Sequence, residues 1–341
     1  MIAITGGGTG GHLTIAKAIK EELNKRGIKP VFIGSINGQD RLWFERDEGF
    51  SEKYFLKTSG VVNKKGIRKL ISLQNIINQS LKSKEIFKKH QIDTVFSVGG
   101  YSAAVASIAA VIYGKRLFLH EQNSIIGTLN RVLKPFCEEF FCSFYEKSPV
   151  KDYPINKIFF ENARIRKKIK TVIFLGGSQG ASAINDYALS LAKELNERGI
   201  KIIHQCGKRD FERVKEFYEK NEMEAICFDF TKELPKYIKE ADFAISRAGA
   251  STLFELAASA LPSLFIPYPY AAKDHQYHNA LFLKKRNLAF LERESNLKKE
   301  TLLNILDQDV EEMSRGLKNL IRPHGAEKIV DIMLKNHSLK A

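Results

Sequence analysis

Ala248-Gly249-Ala250 stands between a short apolar run, Phe243 to Ser246, and a Leu- and Ala-rich stretch that Ser251 or Thr252 can cap. Small residues at such a junction let a ligand approach the backbone closely. A helix starting there presents free N–H groups and the positive end of its dipole, which suits a phosphate. Glu255 follows about one turn later, within reach of a ribose diol. A carboxylate set directly against phosphate would be repelled, so the pair suits a nucleoside diphosphate whose ribose lies toward Glu255. The same residues fit an ordinary strand–helix unit with a surface glutamate, and spacing alone leaves both readings open.

Two more clusters have the composition of a site. Gly6-Gly7-Gly8-Thr9-Gly10-Gly11-His12 follows the apolar run Ile2 to Thr5 and matches GxGxxG through Gly6, Gly8 and Gly11. A dinucleotide fold would place Asp or Glu at the end of the next strand, where this chain has Gly34-Ser35-Ile36-Asn37 and reaches its first acid only at Asp40. His12-Leu13 stands where a Walker loop needs Lys-Ser/Thr, so neither nucleotide signature is complete. His120-Glu121-Gln122-Asn123 puts four polar side chains at the end of the apolar run Arg116 to Leu119, where ligands of α/β sheets gather.

These clusters need elements to hold them. The first half alternates strand and helix: strand 2–5, helix from about Leu13 to Arg26, strand 31–34, a helix opened by Lys64 to Lys69, strand 93–97, helix 102–113, strand 116–119, helix 126–133, and strands near 138–143 and 157–160. Residues 161–170 lose the apolar pattern, are basic, and read as a hinge. The second half restarts with strand 171–175 and Gly176-Gly177-Ser178-Gln179-Gly180-Ala181, then helix, strand 201–205, helix 211–220, strand 225–230 and helix 234–240. After strand 263–266 and the loop and helix that follow it come strand 289–292 and helices near 298–306, 310–320 and 326–335. Both halves begin strand–GG–xx–G–helix, a duplication of architecture rather than of sequence. The predicted class is α/β with two parallel-sheet domains.

With 341 residues, two domains of common size are expected. The 54 basic against 39 acidic residues give a net charge of +15, which points to nucleic acid, an anionic membrane or phosphorylated substrates. Cys137, Cys142, Cys206 and Cys227 lack CxxC spacing and read as reduced cytosolic thiols. The strand beginning at Ile2 leaves no room for a signal peptide, and no apolar run is long enough to span a bilayer. From Lys53 to His90 there are ten Lys or Arg and one acid, Glu85. Ile67, Leu70, Ile71, Ile77 and Leu81 recur there at helical spacing, which reads first as a core stripe behind a solvated basic face; the loop and first turns can at the same time rest on anionic headgroups.

Five motifs occur in one order: GGGTGGHLTIAKAI, SVGGYSAAV, LHEQNSIIGTLNRVL, FLGGSQGASAIN and SRAGASTLFELAASALPSLFIPYPYAAKDHQYHNA. Together, over nearly the whole chain, they resemble the MurG family, bacterial transferases that add N-acetylglucosamine (GlcNAc) to the lipid-linked muramyl-pentapeptide precursor of cell wall. The resemblance implies a GT-B glycosyltransferase: two Rossmann-like domains facing across a cleft, residues 1–162 on the acceptor and membrane side, 163–322 binding UDP-GlcNAc, and 323–341 returning to the first domain. It implies no cofactor and no metal. It places Thr9, Gly10, Gly11 and Asn123 near the donor, Ser178 on the diphosphate, Thr231 near uracil, and Ala250, Ser251, Thr252, Leu253, Phe254 and Glu255 around diphosphate and ribose. Gln276 falls near the GlcNAc, and Tyr101 and Asn130 on the acceptor side. The family's Gly-Asn-Pro-Val-Arg becomes Asn162-Ala163-Arg164-Ile165-Arg166 here, with Arg166 as the diphosphate arginine in an ungapped reading and Arg164 as the alternative. Tyr270 to His275 also departs from the family pattern.

The implied chemistry is inverting transfer to the muramyl 4-hydroxyl of lipid I, an undecaprenyl-diphosphate acceptor, at the cytoplasmic face of the inner membrane. His12 is the first candidate for general base and Glu121 the second. Lys64, Lys65, Arg68 and Lys69 would dock the chain on anionic lipid as a peripheral protein. Asp307-Gln308-Asp309 spells DxD but falls between helices, and Asp274, His275 and His278 could ligate a metal by spacing alone; a donor loop is the preferred reading. The alternatives are a transferase with another lipid acceptor, a UDP-GlcNAc 2-epimerase, and a nucleic-acid binding module. The last would leave both glycine loops idle and shows no stacking platform, so no nucleic-acid partner is expected.

Overall fold

The computed structural model describes residues 1–58, 67–177 and 180–338, without side-chain detail for 67–70, 72, 73 and 336–338. The chain divides into two compact units: Met1–Ile155 together with the residues from His324 onward, and Asn156–Pro323.

The first unit holds six strands: β1 Ile2–Thr5, β2 Val31–Ser35, β3 Glu52–Leu56, β4 Thr94–Ser97, β5 Arg116–His120 and β6 Glu139–Phe141. They lie in the order β3-β2-β1-β4-β5-β6, with all pairings parallel. The second unit holds β7 Thr171–Leu175, β8 Lys201–Gln205, β9 Ala225–Phe228, β10 Phe243–Ser246, β11 Ser263–Phe265 and β12 Phe290–Leu291, in the order β12-β11-β10-β7-β8-β9, also parallel. Counted from each unit's own first strand, both sheets run 3-2-1-4-5-6, the doubly wound order. The duplication of architecture legible in the sequence is therefore a duplication of topology.

Every residue of β1, β2, β4 and β10 is buried. That is why these strands read as unbroken apolar runs rather than as alternation: helices cover both faces of a parallel sheet. The register then sets the functional edge. Thr5 pairs with Ser97 and Ser97 with Leu119, so the segments after β1, β4 and β5 emerge side by side. In the second unit Ser246 pairs with both Leu175 and Phe265, which brings the segments after β7, β10 and β11 to one edge. The helix Gly325–Ser338 packs on the first unit, with Ile329, Val330 and Met333 buried. Arg26 meets Asp331 at 2.7 Å, and Lys328 meets Asp152 at 2.6 Å.

Three local expectations change. Residues 157–160 are not a strand: Ile158–Glu161 is a single helical turn with Phe159 buried. An apolar Ile-Phe-Phe run satisfies either period when it is that short. The strand β3 and the short helix Asp40–Phe44 were not expected. In the helix Ile67–Lys89 the described members of the expected stripe, Ile71, Ile77 and Leu81, do not face the core, and the side chains of Ile67 and Leu70 lie outside the described residues. Ile76, Ser80, Ser83 and Phe87 face inward, while Ile71, Ile77 and Leu81 are 51%, 42% and 48% exposed.

Candidate active site

In the first unit the glycine loop joins β1 to the helix Gly10–Lys25, so Gly10, Gly11 and His12 form that helix's first turn. The Gly7 N–H donates to the Gly99 carbonyl, which ties the loop to the segment after β4. Gly7 and Gly8 have φ of 150° and 81°. A Cβ on Gly7 would lie 2.5 Å from Asp40 Oδ1, and one on Gly8 2.5 Å from a Tyr101 ring carbon. Only glycine fits both the backbone and the space.

Asp40 is fully buried beneath this loop and accepts the Gly8 N–H and, at 2.9 Å, the Ser35 N–H. Burial raises its pKa above the ordinary carboxylate value, and the two backbone donors act against that rise. In the sequence Asp40 stands out only as an acid too late for a dinucleotide ribose; its role depends on a contact with a loop 32 residues away. Tyr101 sits half-buried against Gly8, its hydroxyl pKa raised by burial and by Asp40.

His12 Nδ1 lies 3.0 Å from Thr9 Oγ1 and 3.3 Å from Gln122 Nε2. The structure thus brings together the two first-unit motifs picked out by composition, the glycine loop and the HEQN stretch. His120 is fully buried, and burial with the nearby His12 holds its pKa down to about 3, so it stays neutral. Asn123 sits in the same loop, half-buried, with its N–H donated to Glu121.

Glu121 does not fit the role of second base. Its Oε1 accepts the Asn123 N–H at 3.0 Å, and its Oε2 accepts the Gly127 N–H at 2.9 Å and Asn130 Nδ2 at 3.0 Å. With both oxygens committed and the side chain buried, the carboxyl closes its own loop instead of facing a substrate. Asn130, expected on the acceptor side, is likewise buried and braces Glu121 and the His120 carbonyl.

In the second unit the helix Ala250–Ala258 starts directly after β10, with Gly249 at its N-cap. Asn279, buried, donates to the Ala248 carbonyl at 3.1 Å and pins this turn from a neighbouring helix. Ser251 and Thr252 are half-buried at the helix start. Leu253 and Phe254, expected among donor contacts, are core residues at 0% exposure, which leaves only their backbone for a ligand. The Glu255 carboxyl receives no hydrogen bond among the described residues. The residue is half-buried, and burial alone pushes its carboxyl pKa up to about 7.

Arg166 is also placed differently from expectation. It is 1% exposed, and its guanidinium donates to the carbonyls of Ala241 at 3.1 Å, Ile238 at 2.9 Å, Arg164 at 2.8 Å and Ser259. It fastens backbone within the second unit and is not presented to a diphosphate. Arg164 pairs with Asp242 at 2.7 Å and donates to the carbonyls of Lys239, Glu240 and Ala241. Gln276 Oε1 accepts the Tyr268 N–H at 2.9 Å, and Thr231 Oγ1 accepts the Glu233 N–H at 3.0 Å. Asp274 is paired with Arg293 at 2.7 Å, and among the described residues no three His, Cys, Asp or Glu side chains converge as a metal set. Ser178, Lys64 and Lys65 lie outside the described residues, as do the side chains of Arg68 and Lys69.

The chain matches two family models: the glycosyltransferase family 28 N-terminal domain over residues 2–142 and its C-terminal domain over 171–333. Proteins named UDP-N-acetylglucosamine–N-acetylmuramyl-(pentapeptide) pyrophosphoryl-undecaprenol N-acetylglucosamine transferase are similar over their whole length. The one from Campylobacter fetus subsp. fetus is 53% identical over 98% of this chain and 100% of its own, and the one from Sulfurovum sp. is 50% identical over 99% of each. Among solved structures, Acinetobacter baumannii MurG superposes with a TM-score of 0.80 at 24% identity, covering 98% of this chain and 99% of that one. A UDP-glucose:anthocyanidin 3-O-glucosyltransferase in complex with UDP gives 0.68 at 12% identity over 98% of each chain, a likeness of fold alone.

Proposed function

The chain belongs to the MurG family of glycosyltransferases within glycosyltransferase family 28, and from this we propose that it transfers GlcNAc from UDP-GlcNAc to lipid I, giving lipid II for peptidoglycan. The acceptor is the 4-hydroxyl of the N-acetylmuramyl unit on undecaprenyl diphosphate. That oxygen forms its bond to C1 of GlcNAc as the bond from C1 to the UDP oxygen breaks on the opposite face, so configuration inverts. The hydroxyl proton passes to His12, and the electron pair of the broken bond leaves on UDP.

One observation carries the donor side: Glu255, a half-buried carboxyl with no hydrogen bond among the described residues, one turn into a helix whose free N–H groups begin at Ala250. A nucleoside diphosphate supplies both complements, hydroxyl donors for the carboxyl and phosphate for the helix start. Charge building on the departing UDP would be met by these backbone amides, and Arg166 has no part in it. The experiment is transfer of labelled GlcNAc from UDP-GlcNAc to a short-chain lipid I analogue with EDTA present. Full transfer is expected. UDP-GlcNAc binding without transfer would move the assignment to another acceptor, and turnover of donor alone would move it to epimerisation.

A peripheral position on the anionic cytoplasmic face of the membrane completes the reading. Ile77 and Leu81, four residues apart, share the outward face of the helix Ile67–Lys89 with exposed Lys84 and Lys88. Apolar side chains flanked by bases suit a surface of acyl chains beneath acidic headgroups. Among the described residues no helix is long and apolar enough to cross a membrane.

A further inference from the structure

His12 can act as a base only through a ring nitrogen that carries a lone pair, and its two nitrogens are not equivalent here. Nδ1 is engaged by Thr9 Oγ1 at 3.0 Å and by the Gln122 amide at 3.3 Å. With the amide nitrogen toward His12, both neighbours compete for one lone pair on Nδ1, and the ring proton of the neutral imidazole sits on Nε2. Nε2 is then a donor, and a donor cannot take the acceptor's proton. In this orientation Gln122 Oε1 is also buried with no hydrogen-bond partner among the described residues, a costly state for a carbonyl oxygen.

The two ends of a primary amide have the same shape, and half a turn about the last side-chain bond exchanges them. Gln122 Oε1 then accepts from Nδ1–H, while the Thr9 hydroxyl, which can donate or accept, adapts. The neutral ring now holds its proton on Nδ1 and its lone pair on Nε2. Nε2 is the nitrogen on the side of Gly99: a Cβ built there would lie 3.6 Å from it.

We propose that Gln122 is the positioning residue that sets the His12 tautomer, its amide oxygen holding the Nδ1 proton so that Nε2 is basic. The inference rests on the reading of His12 as the base. Gln122 acts only through His12 and touches no reacting atom. It is an uncharged counterpart of the carboxylate that orients histidine in hydrolytic triads. The carboxylate nearest in sequence, Glu121, is unavailable because both its oxygens are committed within its own loop. The other titratable groups around this corner are His120, which is neutral and in electrostatic reach of His12, and Tyr101 and Asp40 under the glycine loop.

The test combines nitrogen-15 NMR of histidine-labelled full-length protein, with the His12→Ala spectrum to assign His12, and the pH profile of GlcNAc transfer. The wild-type ring is expected as the Nδ1–H tautomer. Gln122→Leu is expected to shift it toward Nε2–H and to lower kcat by about 10²-fold, the scale of general-base catalysis, with KM for UDP-GlcNAc unchanged. Gln122→Glu is expected to keep the Nδ1–H tautomer and most of kcat. Its carboxylate favours the imidazolium, so the acid limb of the profile moves to higher pH. An Nε2–H tautomer in the wild type, or a Gln122→Leu enzyme with undiminished kcat, overturns the proposal. Full activity of His12→Ala would instead overturn the reading of His12 as base, whatever Gln122 does.

Discussion

The Asp40 carboxylate accepts the backbone N–H of Gly8, a residue 32 positions earlier, from a fully buried position. One acid therefore holds the loop that carries His12 at its end. Replacing Asp40 by Asn keeps the shape but turns an NH2 group toward one of two N–H donors. A loss of about 1–3 kcal/mol is expected for a buried donor left unsatisfied, with a lower kcat. Thermal unfolding alongside transfer rates checks this; an Asp40→Asn protein as stable and active as wild type would rule out the clamp.

Glu255 gives a pH dependence whose sign is fixed. Burial pushes its folded pKa up to about 7, above the ordinary glutamate value of 4.5, so between these values the folded state holds the proton more tightly than the unfolded state. Stability without ligand therefore falls as pH rises through that window, by on the order of 2 kcal/mol after allowing for residual solvent contact. Donor binding runs the other way, because the ionised carboxylate is the better acceptor for a diol. UDP-GlcNAc should bind more tightly from pH 6 to pH 8 in the wild type, and weakly with little pH dependence in Glu255→Gln. Calorimetric titration across that range decides it.

Arg166 separates a structural role from a ligand role. Arg166→Ala leaves several buried carbonyls without a donor, and a loss of roughly 3–5 kcal/mol is expected by comparison with breaking other buried charged contacts. Lysine, with no planar fork, should restore little of it. The folded fraction should still bind UDP with near-normal affinity. An Arg166→Ala protein with unchanged melting temperature but poor UDP binding would return this arginine to the diphosphate.

The exposed face of the helix Ile67–Lys89 makes a separable prediction. Ile77→Asn with Leu81→Asn should reduce binding to vesicles containing phosphatidylglycerol without lowering the melting temperature, since both side chains are more than two-fifths exposed. Replacing Lys64, Lys65, Arg68 and Lys69 with Gln should weaken the same binding most at low salt. Equal vesicle binding by all three proteins would remove the membrane reading.

Much of the fold and of the candidate site is legible in the sequence. The glycine loops, the polar ends of β5 and β10 and the alternation of elements are local signals, and buried parallel strands are conspicuous as apolar runs. What stayed hidden depends on partners distant in sequence. Nothing near Asp40 announces that Gly8 will lie against it. Arg166 stands beside Lys167 and Lys168, both exposed, and composition cannot tell which member of a basic run is turned inward. Glu121 and Asn130 look like site residues because they are polar near a strand end, yet Asn130 donates to Glu121 and both are buried. Along the helix Ile67–Lys89 the apolar spacing gives the right element, yet Ile71, Ile77 and Leu81 point outward while Ser80 and Ser83 are buried, so polarity alone does not mark the inward face.

The helix Gly325–Ser338 carries a consequence for biosynthesis. Its Ile329, Val330 and Met333 belong to the core of the unit that starts at Met1. A ribosome makes that unit's sheet first and this helix only after all of Asn156–Pro323 has been made. The nascent first unit must wait with an apolar face uncovered, which makes it a natural client for chaperones. The unit begun second is the one whose sequence is completed first.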